Sequence, residues 1–215
     1  MMNGVVYAAF GSHCDRVPYE GWIVGVSTSG GVVTKWATTP SGHGAAIWQS
    51  GTGLMSDGSG QIVFGTGNGM VEAGVWDPAI GATPAEAEGK LGESVARVQV
   101  QAGGHLKTTD FFSPFSDKEL DEKDLDIGSS APVGLPSPYF GNGGAPNLLV
   151  QEGKQGWLYL LDATKIRTEL GWEPTIEFET GLAETVAWYA DNRDWWEPLR
   201  DRAPIVETAW AQKSS

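Results

Sequence analysis

Few residues in this sequence stand at spacings that would let them do chemistry by themselves. Gly65-Thr66-Gly67-Asn68-Gly69 has the glycine content of a phosphate-cradling loop, but it opens no helix and sits in no βαβ rhythm. His13, His43 and His105 have no spacing of a metal site and read as solvent-exposed turn residues. The single Cys14 permits no internal disulfide, and no Cys/His cluster has zinc spacing. No nucleophile elbow is present. Carboxylates are more plentiful. Asp117-Lys118-Glu119-Leu120-Asp121-Glu122-Lys123-Asp124 is followed closely by Asp126, and the plain reading of Asp124 and Asp126 is as loop carboxylates capping backbone N–H groups. Trp48 reads likewise as a packing aromatic, Asn68 as a turn residue before Gly69, and Lys154 as a solvated turn residue.

The elements that carry these residues are short. Val5–Phe10, Gly21–Val26, Gln61–Thr66, Ala96–Val100, Asn147–Gln151 and Trp157–Leu161 are apolar, β-branched runs. Thr28-Ser29-Gly30-Gly31, Asp57-Gly58-Ser59-Gly60 and Ala102-Gly103-Gly104 separate strands in the manner of hairpin turns. Of the 30 glycines, 28 lie in residues 1–163, which assigns the turn-rich architecture to that region alone. Residues 70–92 and 113–138 read as long loops, the first exposed and the second carrying a short acidic helical turn. The last stretch reads as helix: Thr164 caps a segment that stops at Gly171, and a second helix begins near Glu179 with Leu182, Val186, Tyr189 and Trp196 on one face.

Composition excludes several partners. With 14 Lys+Arg against 27 Asp+Glu the net charge is −13, so phosphate backbones are repelled and nucleic acid is not expected. No apolar stretch reaches the ~18 residues of a membrane span, so no membrane partner is expected. The start, Met-Met-Asn-Gly-Val-Val-Tyr, lacks the basic and apolar regions of a signal peptide, which gives a cytoplasmic expectation.

Three segments make residues 1–162 resemble the quinoprotein-type β-propellers, the superfamily of pyrroloquinoline-quinone (PQQ) dehydrogenases and their non-catalytic relatives. They are Ile47-Trp48-Gln49-Ser50, the hairpin ending Phe64-Gly65-Thr66-Gly67-Asn68-Gly69, and Gly153-Lys154-Gln155-Gly156-Trp157-Leu158-Tyr159-Leu160-Leu161-Asp162. That resemblance implies that Trp48 stacks under the cofactor and Asn68 helps ligate Ca²⁺. Asp126 would be the general base and Lys154 would contact the quinone oxygens. Such a site would oxidise an alcohol or sugar, since a carboxylate can take a hydroxyl proton and a flat cofactor suits an aromatic face. The sequence departs from the family in lacking its vicinal Cys pair, and the family's Glu ligand would lie upstream of Met1. The strands account for roughly two to three blades, fewer than a closed propeller needs. Members of that family are typically periplasmic or secreted.

Residues 164–215 resemble a different family, the C-terminal end of bacterial dTDP-glucose 4,6-dehydratases. Thr164-Lys165-Ile166-Arg167-Thr168-Glu169-Leu170-Gly171-Trp172-Glu173-Pro174 carries the likeness, with Phe178–Tyr189 and Asn192-Arg193-Asp194-Trp195-Trp196 after it. Those enzymes act in nucleotide-sugar biosynthesis through a glycine-rich NAD loop and a Tyr-x-x-x-Lys pair, and this sequence contains neither. Tyr159-Leu160-Leu161-Asp162-Ala163-Thr164-Lys165 suits both families at the join.

The expectation is therefore a mainly β chimera. Residues 1–162 would form a partial quinoprotein-like propeller, and 163–215 a short α-helical tail. Its role would be non-catalytic, binding or structural at most. No cofactor is expected, or PQQ and calcium if any, and exposed sheet edges would permit self-association.

Overall fold

The computed structural model describes residues 1–162, apart from 14, 15, 17, 41–42, 57, 59, 71–82, 136–138, 142–144 and 146, together with 186–194 and 197. Contacts divide the chain into two units, Met1–Gly171 and Trp172–Ser215.

The first unit is built from short antiparallel strands. β1 (Val5–Phe10), β2 (Trp22–Ser27) and β3 (Val32–Ala37) form one sheet in that order. Its register runs from Val5 opposite Ser27 to Phe10 opposite Trp22. β4 (His43–Gly44) pairs with β7 (Gly69–Met70). β5 (Met55–Ser56), β6 (Gln61–Gly65), β8 (Val95–Val100) and β9 (Leu106–Phe112) make a four-stranded sheet. A third sheet orders β10 (Val133–Leu135), β11 (Leu148–Glu152) and β12 (Leu158–Asp162). Two short helices, α1 (Pro84–Ala87) and α2 (Asp117–Lys123), lie in the connections.

Burial shows how the sheets pack. In β6, Ile62, Val63 and Phe64 are all enclosed, although consecutive strand residues point to opposite faces. Each face of the four-stranded sheet has its own core. On one, Ile62, Phe64, Ala96, Val98 and Leu106 meet Ile23 and Trp36 of the first sheet. On the other, Val63, Val95 and Phe112 meet Leu149 and Leu161 of the third, with Ile127 among them. The middle sheet is thus packed on both sides, which is why its strands read as continuous apolar runs. The outer sheets alternate: β1 and β12 leave Val6, Phe10, Leu158 and Leu160 exposed. Among the described residues no strand pairing joins the third sheet to the first.

The hairpin turns stand where the glycines place them: 28–31 joins β2 to β3, 57–60 joins β5 to β6, and 102–104 joins β8 to β9. Residues 70–92 differ from the exposed loop expected there. Residues 71–82 lie outside the described residues, but between Thr83 and Gly92 a helical turn puts Ala87 and Leu91 into the core while Thr83, Ala85, Glu86 and Glu88 stay exposed. Thr83 and Glu86 form a reciprocal capping box with Pro84 at the helix start, and Ala87 and Leu91 are fully buried. Glu88 then accepts hydrogen bonds from Trp36 Nε1 at 3.1 Å and from the Thr108 N–H at 2.9 Å, tying this connection to two sheets. The acidic helical turn expected within 113–138 is α2, closed by Asp124 in the left-handed conformation (φ 55°).

In the second unit, residues 186–191 are helical, and Trp188 and Tyr189 meet edge-to-face with centroids 5.2 Å apart. The expected helix over 164–171 and the start of the second helix lie outside the described residues. No helix among the described residues is long and apolar enough to cross a membrane.

Candidate functional site

Four connections of the first unit converge on one cavity of about 450 Å³, lined by Trp48, Ser50, Asn68, Asp124, Asp126, Ser129 and Lys154. Trp48, Asn68, Asp126 and Lys154, scattered over more than a hundred residues of sequence, are brought together there. None of the three histidines lines it, and Cys14 lies outside the described residues.

Each wall has a local cause. Trp48 precedes a 3₁₀ turn, Gln49–Gly51, whose buried Gln49 anchors it: Oε1 accepts from the Gly65 N–H at 3.0 Å and Nε2 donates to the Gly53 carbonyl at 3.0 Å. Asn68 follows β6, where the Gly67 N–H donates to the Ala46 carbonyl at 3.0 Å. Asp124 ends α2, and Asp126 starts the 3₁₀ turn Ile127–Ser129. Lys154 occupies the β11–β12 turn, and its N–H donates to the Asp126 carbonyl at 3.1 Å. Gly128 is wedged against the Thr66 backbone, where a Cβ has no room.

Gly67 fixes the spacing of the site most tightly. A Cβ there would stand 2.7 Å from Asp126 Oδ1 and 3.0 Å from Trp48 Nε1, and it would have to push one of them aside. Gly67→Ala is expected to cost about 1–3 kcal/mol by overpacking. Chemical denaturation would measure this, and a change within about 0.5 kcal/mol, the range of an ordinary surface substitution, would contradict the geometry.

The polar groups of the cavity already pair with one another. Asp126, 3% exposed, accepts the Asn68 N–H on Oδ1 at 3.0 Å, and its Oδ2 contacts the Lys154 ammonium. The same ammonium lies 3.0 Å from Asp124 Oδ2. Burial lowers the Lys154 pKa, but hydrogen bonds to Asp126 and Asp124 outweigh it and hold the ammonium above its usual range. The plain reading of Asp126 as a cap for a backbone N–H therefore describes one of its two oxygens. Lys154 is no free turn residue, because it bridges two carboxylates.

Beneath this layer lie acidic groups that sequence reasoning passes over. Glu93 is fully buried, and its Oε2 accepts the Ile127 N–H at 2.7 Å. Burial pushes its pKa up to about 9, against the lowering effect of the Ile127 N–H and with the charges of Asp126 and Asp121 adding to the rise. Asp121 accepts the Gly69 N–H at 3.1 Å, and burial is the main reason its pKa is pushed up to about 8. Asp117, one helical turn earlier, is raised for the same reason. The available signals are an acidic residue two positions before the apolar run of β8, and the i, i+4 spacing that puts Asp117 and Asp121 on one face of α2.

The residues do not fit the group that a quinoprotein site implies. A calcium ion needs six to eight oxygen ligands with carboxylates free to turn toward it. Here the Lys154 ammonium stands on both cavity carboxylates, where a cation would have to go. Among the described residues no three His, Cys, Asp or Glu side chains come together to hold a metal ion. Trp48 is itself a packed ring. Backbone at Gly11 lies against its benzo edge, where a Cβ would stand 2.7 Å from Cε3, and Tyr19 meets it at 6.0 Å between centroids. A tricarboxylate quinone would also meet Asp124, exposed at the rim.

Comparison with known proteins bears on a different part of the chain. Curated relatives match about a fifth of it. The dTDP-glucose 4,6-dehydratase of Streptomyces niveus is 67% identical over 42 residues, 20% of this chain and 12% of that protein. A probable dTDP-glucose 4,6-dehydratase of Sinorhizobium fredii is 54% identical over 44 residues, 20% of this chain and 13% of that protein. The Escherichia coli enzyme is 46% identical over 43 residues, 20% of this chain and 12% of its own. The chain thus spans only 12–13% of the length of these relatives. These matches support the dehydratase-like reading of that segment. No family model matches the chain, and no solved structure matches it.

Proposed function

We propose that residues 1–162 are a non-catalytic binding module of the quinoprotein-like propeller type, and that the cavity takes a small neutral polyhydroxylated ligand such as a sugar. The observation that carries this reading is the Lys154 ammonium bridging Asp124 and Asp126. A general base needs a carboxylate oxygen open to a substrate hydroxyl. Asp126 instead has one oxygen on the Asn68 N–H and the other on Lys154. What the cavity does offer is an aromatic wall, hydroxyls at Ser50 and Ser129, an amide at Asn68 and the exposed Asp124 carboxylate at the rim. That mixture suits a ring with an apolar face and a fringe of hydroxyls, and the volume suits one or two such rings.

The tail belongs to the same proposal as a structural piece derived from a dehydratase C-terminus. The similarity supports a related fragment and no more, since this sequence contains neither the NAD loop nor the catalytic Tyr-x-x-x-Lys of that activity. Net negative charge at the cavity further disfavours a sugar carrying a diphosphate. Association of copies is also proposed, through the exposed sheet edges at β1 and β12, which carry exposed Phe10 and Leu160.

Saturation-transfer NMR with a panel of neutral mono- and disaccharides tests the binding reading. Transfer from the protein to at least one sugar, abolished in Trp48→Ala, is the expected result. Silence across the panel, from a chain shown by circular dichroism to be folded, would overturn it.

A further inference from the structure

Glu93 sits behind the cavity with no route to solvent, 0% exposed, and its backbone is in the left-handed region (φ 41°) that an acidic residue other than Asp seldom occupies. Its main chain and side chain tie it to both sides of the site. The Glu93 N–H donates to the Gly67 carbonyl at 2.9 Å, and its Oε2 receives the Ile127 N–H at 2.7 Å. The other oxygen, Oε1, has no donor directed at it. The charged and titratable groups that face this carboxyl come from three elements. Asp126 lies on the turn before Ile127, Asp121 on α2, and Tyr159 on β12. Lys154 reaches the cluster on the far side of Asp126. A buried carboxylate with an orphan oxygen beside another carboxylate would carry the full cost of desolvation and of like-charge repulsion.

A single proton removes both costs. We propose that Glu93 is a neutral carboxylic acid whose Oε1–H is donated to Asp126, which makes Glu93 the positioning residue for the cavity carboxylate. Asp126 is then held by three donors: the Asn68 N–H, the Lys154 ammonium and the Glu93 hydroxyl. Two carboxyl groups stand together with one negative charge between them, and the cavity rim keeps a net charge of one negative unit from Asp124, Asp126 and Lys154. Ionising Glu93 removes a donor from Asp126 and sets a second anion behind it. Ligand affinity at the cavity is then lost at alkaline pH. That last consequence rests on the binding reading above, whereas the location of the proton does not.

Infrared spectroscopy of the full chain tests the proton directly, with glutamate side-chain carboxyls labelled with ¹³C to separate Glu93 from Asp121. At neutral pH the wild type should show a protonated-carboxyl band that moves with the glutamate label and is absent in Glu93→Gln. The band should shift to higher frequency in Asp126→Asn, because an amide oxygen is a weaker acceptor than a carboxylate. In the wild type, which needs no variant to fold, it should disappear as the pH passes about 9. No label-sensitive band at neutral pH, a band that persists in Glu93→Gln, or one unmoved in Asp126→Asn would each overturn the proposal. A well-behaved band with no sugar binding would sink the binding reading and leave the proton in place. Where sugar is bound, Glu93→Gln should lose much less affinity between about pH 7 and pH 10 than the wild type, which loses roughly tenfold or more from this group, as removal of one charge-assisted donor implies.

Discussion

Between about pH 5 and pH 8 the Glu93 carboxyl is expected to cost the chain on the order of 3 kcal/mol of stability, and Glu93→Gln to remove that share of the loss. Burial is the cause that comes first: Glu93 rises from an ordinary value of 4.5 to about 9 in the folded chain. The sign follows from proton counting. Below pH 4.5 the group is protonated in both states and costs nothing. Between 4.5 and about 9 the unfolded chain releases its proton while the folded chain keeps it, so unfolding is favoured as pH rises, by up to about 1.4 kcal/mol per unit. Above about 9 both states are ionised and the slope ends. Asp121, pushed up to about 8 chiefly by burial, and Asp117, raised in the same way, add slope of the same sign. Glutamine stays neutral throughout and keeps one acceptor for the Ile127 N–H and one donor toward Asp126. Urea titrations at several values across that pH range, on the two proteins, measure the difference. Parallel curves for wild type and Glu93→Gln would show that Glu93 ionises normally.

The second large effect concerns Lys154. Replacing it by Met keeps the stem and removes the charge, leaving Asp126 at 3% exposure without its cationic partner among acidic neighbours. Breaking a buried ion pair from one side costs about 3–5 kcal/mol. Lys154 is itself 40% exposed, and that solvent access brings the expectation to about 2–3 kcal/mol. Asp124→Asn, which removes only an exposed partner, should cost under about 1 kcal/mol. Denaturation midpoints of the two variants give the comparison. Equal, small losses in both would mean that the Lys154–Asp126 contact contributes little, and the self-paired cavity would lose its basis.

Much of the strand layout is legible in the sequence because it depends on local signals. Continuous apolar runs such as Gln61–Thr66 and turns such as Ala102-Gly103-Gly104 specify their own conformation, and the structure places strands and hairpins there within a residue or two. β9 is harder to see, since Leu106-Lys107-Thr108-Thr109-Asp110 buries alternate residues behind a polar sequence. The segment after residue 82 misleads because Gly and Pro suggest a loop, whereas Thr83-Pro84-Ala85-Glu86 is a helix start whose meaning depends on where Ala87 and Leu91 can be buried. At the site, residue types are legible and their states are not. Asp126 and Lys154 are 28 positions apart, and nothing local reveals that the turn after β11 lays one on the other. Glu93 stays hidden for a related reason. Burial of an acidic residue is decided by what packs over it, here Ile127 and Tyr159, and those contacts are tertiary.

Calorimetric titration of the folded chain with PQQ and Ca²⁺ tests the central claim most directly, because it asks whether the cavity is a quinone site or a self-paired binding site. A chain in which Lys154 already occupies Asp124 and Asp126 should give no saturable heat with the pair of ligands. Saturable binding that weakens in both Trp48→Ala and Asn68→Ala would contradict this account and make the cavity a cofactor site.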